Sequence, residues 1–283
     1  MIIVKLMGGL GNQMFQYAVG RSLSLKNKTD VVFDISSFQN DALRDYQLHV
    51  FNISGSVLSI PLSRLLNLYN RFFPYKLPGI NYHYVRWLSS FFNQDILKKK
   101  GIIYLEGYWQ CEDYFKQIRE ILKKDFTLRY KLDAKNKSLL KVIQHSPSVA
   151  VHVRRGDYVV NPLTHKYHGT CSLGYYHRSF QMMAQRVSSP HFFIFSDDMA
   201  WTKQNLKIHF PTTYVDINGR KEEHKDLMLM ANCRHFIIAN SSFSWWGAWL
   251  SENKNKIVFS PDKWFNQKNE GNTVPQSWIR TKR

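Results

Sequence analysis

The sequence has little cysteine and no long apolar run. Its three cysteines, Cys111, Cys171 and Cys233, lie far apart and form no C-x-x-C pair, so neither a disulfide framework nor a zinc ribbon is indicated. We therefore expect a reducing, cytoplasmic setting. The apolar runs, such as residues 191–195, have the length of strands and fall far short of the ~20 residues that cross a bilayer, so we expect no membrane span.

Acidic residues are also scarce. The chain has 21 Asp and Glu against 39 Lys and Arg, a formal net charge of +18. A charge of this size favours polyanions, acidic membranes or phosphorylated ligands as partners. The 283 residues, 44% of them hydrophobic, are typical of a folded chain of two domains or one large domain, and exclude a disordered tail or a fibrous protein.

The N-terminal pattern predicts a βαβ unit. Residues 2–6 form an apolar strand, residues 8–13 a glycine-rich loop, residues 14–25 an amphipathic helix and residues 31–34 a second strand. The first residues could also pass for a signal peptide. However, Lys5 interrupts the apolar stretch and the glycine loop follows it, so we interpret this segment as a strand.

The rest of the chain predicts a helical insert and a second α/β unit. Residues 61–100 carry nine aromatic residues, seven Lys or Arg and one acid, which indicates a basic, aromatic, helical insert. A polar stretch at 131–144 contains the predicted domain boundary. The second unit has predicted strands at 149–153, 192–196, 213–216, 236–240 and 257–260, and helices at 175–187, 222–232 and 243–251.

These patterns predict an α/β fold of two Rossmann-like, doubly wound halves. The first domain spans residues 1–145 and includes the insert, and the second spans residues 146–283. Ligands of such folds bind at the carboxyl ends of the parallel strands. We therefore expect the site in a cleft that both halves face.

Four segments follow predicted strands and carry candidate site residues. The first is the glycine loop, in which Gly9 and Gly11 allow close approach of the backbone to a ligand and Asn12 offers an amide. A tight turn between strand and helix explains the same glycines. The second is His152 to Tyr158, where Arg154 and Arg155 suit bidentate recognition of pyrophosphate.

Asp157 lies within the same segment and has two interpretations. It could orient one guanidinium, as in a structural salt bridge, or act as a base. The third segment starts a helix, where Ser241, Ser242 and the Phe243 amide could bind an anion; simple N-capping is the alternative.

The fourth segment places Asp197 and Asp198 at a strand end. This pair could bind a metal, a ribose or guanine, although acids that cap a helix give the same pattern. His165 and His168 lack a third ligand at diagnostic spacing, so we predict no metal site. The absence of G-x-S-x-G, of a catalytic cysteine signature and of a dinucleotide-binding fingerprint weakens hydrolase and dehydrogenase interpretations.

Together the four segments resemble the bacterial α-1,2-fucosyltransferases of glycosyltransferase family 11. The similar stretches are KLMGGLGNQMFQY at 5–17, GYWQ at 107–110, VHVRRGDY at 151–158, CSLGYY at 171–176, FIFSDD at 193–198 and IANSSFSWWGA at 238–248. The resemblance implies a GT-B architecture and transfer of L-fucose, with inversion, from GDP-β-L-fucose to the 2-hydroxyl of a terminal galactose. It also implies that no metal or other cofactor is required.

The resemblance implies roles for individual residues. Arg154 or Arg155 would hold the pyrophosphate together with Ser241, Ser242 and the Phe243 amide, and His152 would line the nucleotide pocket. Asp226, at a spacing seen in related α-1,6- and protein O-fucosyltransferases, would contact the guanine. Asn12 would face the acceptor and the fucose.

Two other functions compete with this interpretation. A fucosyltransferase of another linkage, such as α-1,6, shares the arginine motif, but the SSFSWWG segment favours the α-1,2 group. A nucleic-acid-binding protein is suggested by net charge alone, and the chain has no signature of such a domain; we expect no nucleic-acid partner.

The expected location follows from the same interpretation. We predict a cytoplasmic enzyme of O-antigen or other surface-glycan synthesis. The insert would hold it peripherally against the anionic inner face of the bacterial membrane. A solvated helical face explains the insert equally well.

Overall fold

The structure is a computed structural model that describes residues 1–41, 43–58, 81–87, 89, 91–266 and 271–283. The chain divides into two compact units. One consists of Met1–Tyr130 with Gly271–Thr273, and the other of Lys131–Glu270 with Val274–Arg283.

The first unit has a parallel sheet. Within the described residues its strands are β1 (Ile2–Lys5), β2 (Val31–Asp34), β3 (Ser56–Leu58), β4 (Tyr82–Trp87) and β5 (Ile102–Gly107), in the order β3-β2-β1-β5-β4. Every one of these pairings is parallel. Helices α1 (Leu10–Asn27) and α2 (Arg119–Asp125) belong to this unit, with 3-10 turns at Ser36–Asn40, Leu48–Val50, Gln94–Lys98, Glu112–Tyr114 and Lys116–Ile118.

The second unit has a six-stranded sheet within the same described residues. Its strands are β6 (Ser148–Val153), β7 (His191–Ser196), β8 (Thr212–Tyr214), β9 (His235–Ile237), β10 (Val258–Pro261) and β11 (Ile279–Thr281), all parallel, in the order β11-β10-β9-β6-β7-β8. This is the doubly wound order of a Rossmann fold.

Helices connect the strands of the second unit. They are α3 (Ala134–Gln144), α4 (Gly156–Val160), α5 (Pro162–His168), α6 (Leu173–Ala184), α7 (Met199–Asn205), α8 (Glu223–Ala231) and α9 (Ser242–Leu250), with a 3-10 turn at Arg220–Glu222.

The composition of the strands explains their position in the fold. All six residues of β6 are buried, as are the four of β2. Strands of a parallel sheet are covered on both faces, so they are apolar throughout rather than alternating. The apolar runs that predicted strands therefore mark the central strands of each sheet.

The predicted βαβ opening is present, with one difference. Helix α1 begins at Leu10 rather than at residue 14, and Gly9 is its N-cap. The glycine loop is therefore shorter than predicted, and Asn12 lies in the first turn of the helix. Glycines disfavour a helix interior but are tolerated at its start, which is why the pattern placed the helix too late.

The predicted helical insert differs from the structure where the two can be compared. Residues 59–80 lie outside the described residues. Tyr82–Trp87, which the prediction included in the insert, is strand β4, paired with β5 over six residues. Its tyrosines, valine and tryptophan have high strand propensity, and the mixture of aromatic and basic residues concealed this signal.

The predicted domain boundary lies after residue 145, whereas the compact units divide after Tyr130. Helix α3 belongs to the second unit because Asn136, buried near its start, exchanges side-chain hydrogen bonds with Asn218 at 2.8 and 2.9 Å. Asp133, its N-cap, also pairs with Lys225 of α8 at 2.8 Å. Among the described residues, no helix is long and apolar enough to cross a membrane.

Candidate functional site

In each sheet, the strand order reverses beside the first strand of the unit. The reversal lies between β1 and β5 in the first unit and between β6 and β9 in the second. In doubly wound folds, ligands bind at the carboxyl ends of the strands at such a reversal. The glycine loop follows β1, the arginine segment follows β6 and the serine segment follows β9, so three of the four predicted segments lie at these points.

Arg154 is held between two carboxylates. Its Nη2 donates to Asp157 Oδ1 at 2.6 Å, and its Nη1 pairs with Asp197 Oδ2 at 3.0 Å. Burial opposes the charged form of Arg154, but the charges of Asp197 and Asp157 outweigh it and raise the pKa of the guanidinium. The structure therefore presents a permanent cation whose orientation is fixed.

Arg155 is held differently. Its guanidinium carbon lies 3.5 Å from the centroid of the Trp201 ring, and its Nε contacts Asp198 Oδ2 at 3.4 Å. Within the described residues its two Nη groups have no partner. An arginine stacked on an aromatic face with both Nη groups available can bind a phosphate through two parallel bonds.

The two aspartates after β7 hold this arginine pair in place. Asp197 accepts the backbone N–H of Arg155 at 2.8 Å in addition to its contact with Arg154. Asp198 caps α7 by accepting the Trp201 N–H at 3.2 Å. Both carboxylates thus have partners that do not require a ligand, and the predicted contact of Asp197 with the nucleotide stays a prediction.

His152 lies two residues before Arg154 and is buried, with 4% of its surface exposed. Its ring centroid is 5.6 Å from that of Phe243, and its Nδ1 atom has no partner among the described residues. Burial and the neighbouring Arg154 charge lower the pKa of His152 to about 3. The imidazole is therefore neutral at physiological pH, with a nitrogen available for hydrogen bonding.

The serine segment forms the N-terminus of α9. Ser241 is its N-cap, yet its side chain makes no capping hydrogen bond. The first backbone N–H groups of a helix have no partner within the helix and carry partial positive charge. Ser241, Ser242 and the Phe243 amide are brought together here. The simple capping alternative is not what the structure has.

The tryptophans of this helix belong to the core. Trp245 and Trp246 are fully buried, and Trp249 stacks on Trp245 with ring centroids 5.9 Å apart.

Asp226, in α8, lies in a chain of amides rather than beside the arginines. Its Oδ1 accepts from Asn218 Nδ2 at 2.7 Å, and Asn218 is in turn paired with Asn136. The pKa of Asp226 is raised to about 6, mainly by burial and also by nearby acids, whereas the hydrogen bond from Asn218 lowers it. A carboxyl whose pKa is raised in this way is typical of groups at functional sites.

The glycine loop of the first unit is fixed by amide side chains of α1. Gln13 Nε2 donates to the carbonyls of Gly8 and Asp45 at 2.9 and 2.8 Å. Gln16 joins the ends of β1 and β5, because it accepts the Met7 N–H and donates to the Gly107 carbonyl. These two glutamines therefore fix the loop after β1 in place.

Asn12 faces the segment that follows β5. Its Oδ1 accepts from Gln110 Nε2 at 2.8 Å, while its Nδ2 lies near Gly8, where an added Cβ would be only 2.8 Å away. Gly8 also has a φ of 76°, a conformation that favours glycine. Gly9 is the N-cap of α1, and Gly11 lies in the first turn of the helix rather than in the predicted loop.

Several residues of these groups were not predicted. Trp201, Asn218 and Gln110 hold Arg155, Asp226 and Asn12, respectively. A signal existed for Gln110, which ends the GYWQ stretch. Trp201 and Asn218 are single residues in ordinary helical and loop sequence, and only tertiary structure identifies them.

The described residues contain no group of three or more His, Cys, Asp or Glu side chains arranged to hold a metal ion. The three cysteines are free thiols and buried. Burial raises the pKa of the Cys171 thiol to about 12, so the reactive thiolate form is suppressed there.

Comparison with known proteins decides the family. The sequence model of glycosyl transferase family 11 matches residues 1–281. The chain belongs to this family. It is 35% identical to an α-1,2-colitosyltransferase of Escherichia coli, over 99% of this chain and 98% of the relative, and 34% identical to the O-antigen biosynthesis glycosyltransferase WbnK of Escherichia coli, over 97% and 98%.

Solved structures agree on the fold of this family 11 chain. The NodZ α-1,6-fucosyltransferase from Bradyrhizobium, soaked with GDP-fucose, is similar with a TM-score of 0.54 at 16% identity, covering 91% of this chain and 94% of that one. At this identity the likeness concerns the fold only. The predicted α/β, GT-B-like class is confirmed, and the chain is a glycosyltransferase whose family includes α-1,2-fucosyl- and colitosyltransferases.

Proposed function

We propose that the protein is an inverting α-1,2-fucosyltransferase that moves L-fucose from GDP-β-L-fucose to the 2-hydroxyl of a terminal galactose in a surface glycan. The observation that carries the proposal is the pair of arginines after β6, one fixed by two carboxylates and the other stacked on Trp201 with both Nη groups available. Fixed cations of this kind are suited to the pyrophosphate of a nucleotide sugar.

The donor site would be assembled from the second unit. The guanidinium groups of Arg154 and Arg155 and the first N–H groups of α9 would hold the pyrophosphate. Asp226, whose Oδ1 is held by Asn218, would accept hydrogen bonds from guanine. Neutral His152, beside Phe243, would line the nucleotide pocket.

These groups also supply what the reaction requires. The galactose 2-hydroxyl oxygen attacks C1 of fucose while the bond from C1 to the phosphate oxygen breaks, and the hydroxyl proton passes to water. Negative charge therefore builds on the leaving GDP. Donors whose positions are fixed before the reaction stabilise such charge without reorganisation, and each is worth about 3 kcal/mol of transition-state stabilisation. We propose that these cations and amides suffice without a divalent metal.

Asp157 fits the orienting role better than that of a base. Its Oδ1 accepts a 2.6 Å hydrogen bond from Arg154, so the carboxylate already has a guanidinium partner. We assign to it the positioning of Arg154.

The donor could instead carry colitose, because one relative at 35% identity is an α-1,2-colitosyltransferase. Colitose is L-fucose without its 3-hydroxyl. If the site forms a hydrogen bond with the 3-hydroxyl of fucose, the enzyme strongly prefers fucose to colitose. If the site only has room for that hydroxyl, the enzyme accepts both sugars.

The test is a transfer assay in EDTA with GDP-fucose or GDP-colitose and a panel of galactose-terminated oligosaccharides, with products detected by mass spectrometry. We expect fucose transfer that persists in EDTA and is lost in Arg155→Ala. The matched control is Arg186→Ala, since Arg186 also faces an aromatic ring, that of Phe259, at 5.8 Å. Transfer of colitose alone, or a requirement for metal, would contradict the proposal.

A further inference from the structure

The segment after β5 has an unusual conformation. Trp109 has a φ of 57° although it is not a glycine, and its buried indole N–H has no acceptor among the described residues. A bulky residue in this region of φ is a genuine outlier, and such outliers are maintained by the surrounding structure most often at functional sites. The segment lies beside the glycine loop, where the strand order of the first sheet reverses.

This conformation places Gln110 beside Asn12. The side chain of Gln110 donates from Nε2 to Asn12 Oδ1 at 2.8 Å. Both residues are only partly buried, so they are accessible to a ligand. Gln16 Nε2 donates to the Gly107 carbonyl at 3.1 Å, which fixes the start of the turn that presents Gln110.

The contact with Gln110 determines which way the Asn12 amide faces. An amide group has an acceptor oxygen and a donor nitrogen. Because the oxygen is engaged by Gln110, the nitrogen is turned toward the Gly8 turn, where it has no acceptor within the described residues. Asn12 therefore presents two N–H groups, and no oxygen, beside the glycine loop.

We propose that Gln110 is a positioning residue for the acceptor: it orients Asn12 so that the Asn12 Nδ2 group donates to a hydroxyl oxygen of the acceptor sugar. This inference rests on the proposed function. It names as ligand a neutral polyhydroxylated ring, because uncharged amide donors suit hydroxyl oxygens, whereas the fixed cations of the second unit suit phosphate.

The test replaces the amide of Gln110 by a carboxylate of the same shape, which accepts hydrogen bonds but does not donate them. Gln110→Glu retains the size of the side chain but cannot donate to Asn12 Oδ1, so the Asn12 amide turns its nitrogen inward and its oxygen toward the sugar. We expect kcat/KM for the acceptor to fall about tenfold, with GDP affinity unchanged. The matched control is Gln144→Glu, since Gln144 Nε2 also donates to an asparagine, Asn232 Oδ1, at 3.3 Å on the surface.

The hydroxyl is identified with β-galactosides that lack the 3-, 4- or 6-hydroxyl. In the wild type, one of these deletions should lower kcat/KM. In Gln110→Glu, the same deletion should have no further effect, because the hydrogen bond is already lost. Equal losses for every acceptor, an unchanged kcat/KM, or a parallel loss of GDP affinity would overturn the inference.

Two controls distinguish loss of the Gln110 contact from misfolding of the variant and from failure of the proposed function. If Gln110→Glu does not fold, Gln110→Met is measured in the same way; it removes the donor without adding charge, and a severalfold loss confined to the same hydroxyl supports the inference. Because the wild type and Gln144→Glu both retain Gln110, their transfer activity tests the proposed function and not the role of Gln110. A wild type that transfers no sugar to any galactoside refutes that function, whereas an active wild type with a fully active Gln110→Glu refutes only the role of Gln110.

Discussion

The carboxylate of Asp197 accepts the backbone N–H of Arg155 at 2.8 Å, across 42 residues of chain. This contact is possible because β6 and β7 are paired with Val153 beside Ser196. The residues that follow the two strands are therefore neighbours, and the carboxylates after β7 reach the arginines after β6. The orientation of the arginine pair thus depends on the register of the sheet.

Gly156 leaves the space that this arrangement needs. A Cβ at Gly156 would lie 2.4 Å from Asp197 Oδ2, so Gly156→Ala must displace the carboxylate that holds Arg154. We expect a loss of about 1–3 kcal/mol in the free energy of unfolding and weaker GDP binding. Calorimetric titration with GDP and urea denaturation measure the two effects.

Gly219→Ala is the control, because an added Cβ there meets no atom within 4 Å. Equal behaviour of the two alanine variants would show that Asp197 moves freely and does not fix Arg154.

The role of Asp157 is tested by Asp157→Asn. If Asp157 orients Arg154 through their 2.6 Å hydrogen bond, the amide weakens this hold without removing the side chain. We expect GDP affinity to fall severalfold and the pH dependence of kcat to keep its shape. Steady-state kinetics between pH 5 and 9 measure this. A large fall in kcat with unchanged GDP affinity and loss of the acidic limb would identify Asp157 as the base instead.

Ionised Asp226 should lower the stability of the fold but strengthen GDP binding. Burial raises the pKa of its carboxyl to about 6, so the folded state binds the proton more tightly than the unfolded state does. The stability contributed by the protonated carboxyl is lost as the pH rises from about 4 through 6. Asp226→Asn removes that charge, and we expect the free energy of unfolding at pH 8 to rise by roughly 1–2 kcal/mol. GDP binding should weaken because guanine loses a charged acceptor.

Denaturation and titration at pH 8 measure both properties of Asp226→Asn. The control is Asp216→Asn, because Asp216 is exposed and paired with Lys203. A less stable Asp226→Asn that binds GDP as the wild type does would contradict this account.

Buried His152 should make the fold sensitive to acid. Because burial lowers the pKa of His152 to about 3, the unfolded state takes up a proton below its ordinary pKa near 6.5 while the folded state does not. Stability contributed by the neutral imidazole is therefore lost as pH falls from about 6.5 toward 3. We expect this one group to account for about 2 kcal/mol between pH 7 and 5.

Urea denaturation of wild type and His152→Gln at pH 7 and pH 5 isolates this contribution, because every other titrating group is common to both proteins. The variant should lose less stability than the wild type over that interval. An identical pH dependence would mean that His152 is not shielded from protons in the folded state.

Much of the site could be predicted from the sequence because glycines, paired arginines and serines that follow apolar strands indicate where a parallel sheet ends. The spacing did not reveal which partners these residues would meet. The contact of Arg155 with Trp201 and that of Asp226 with Asn218 depend on strand register and helix packing. The same limit applies to β4, where aromatic and basic residues obscured a strand that pairs with β5.

Linkage analysis of the product shows directly which hydroxyl receives the sugar. Purified protein is incubated in EDTA with GDP-β-L-fucose and a disaccharide ending in β-galactose, and the product is analysed by NMR. We expect α-linked fucose on O2 of the galactose. Fucose on another hydroxyl, retention of the β configuration, or absence of any product despite GDP-fucose binding would contradict it.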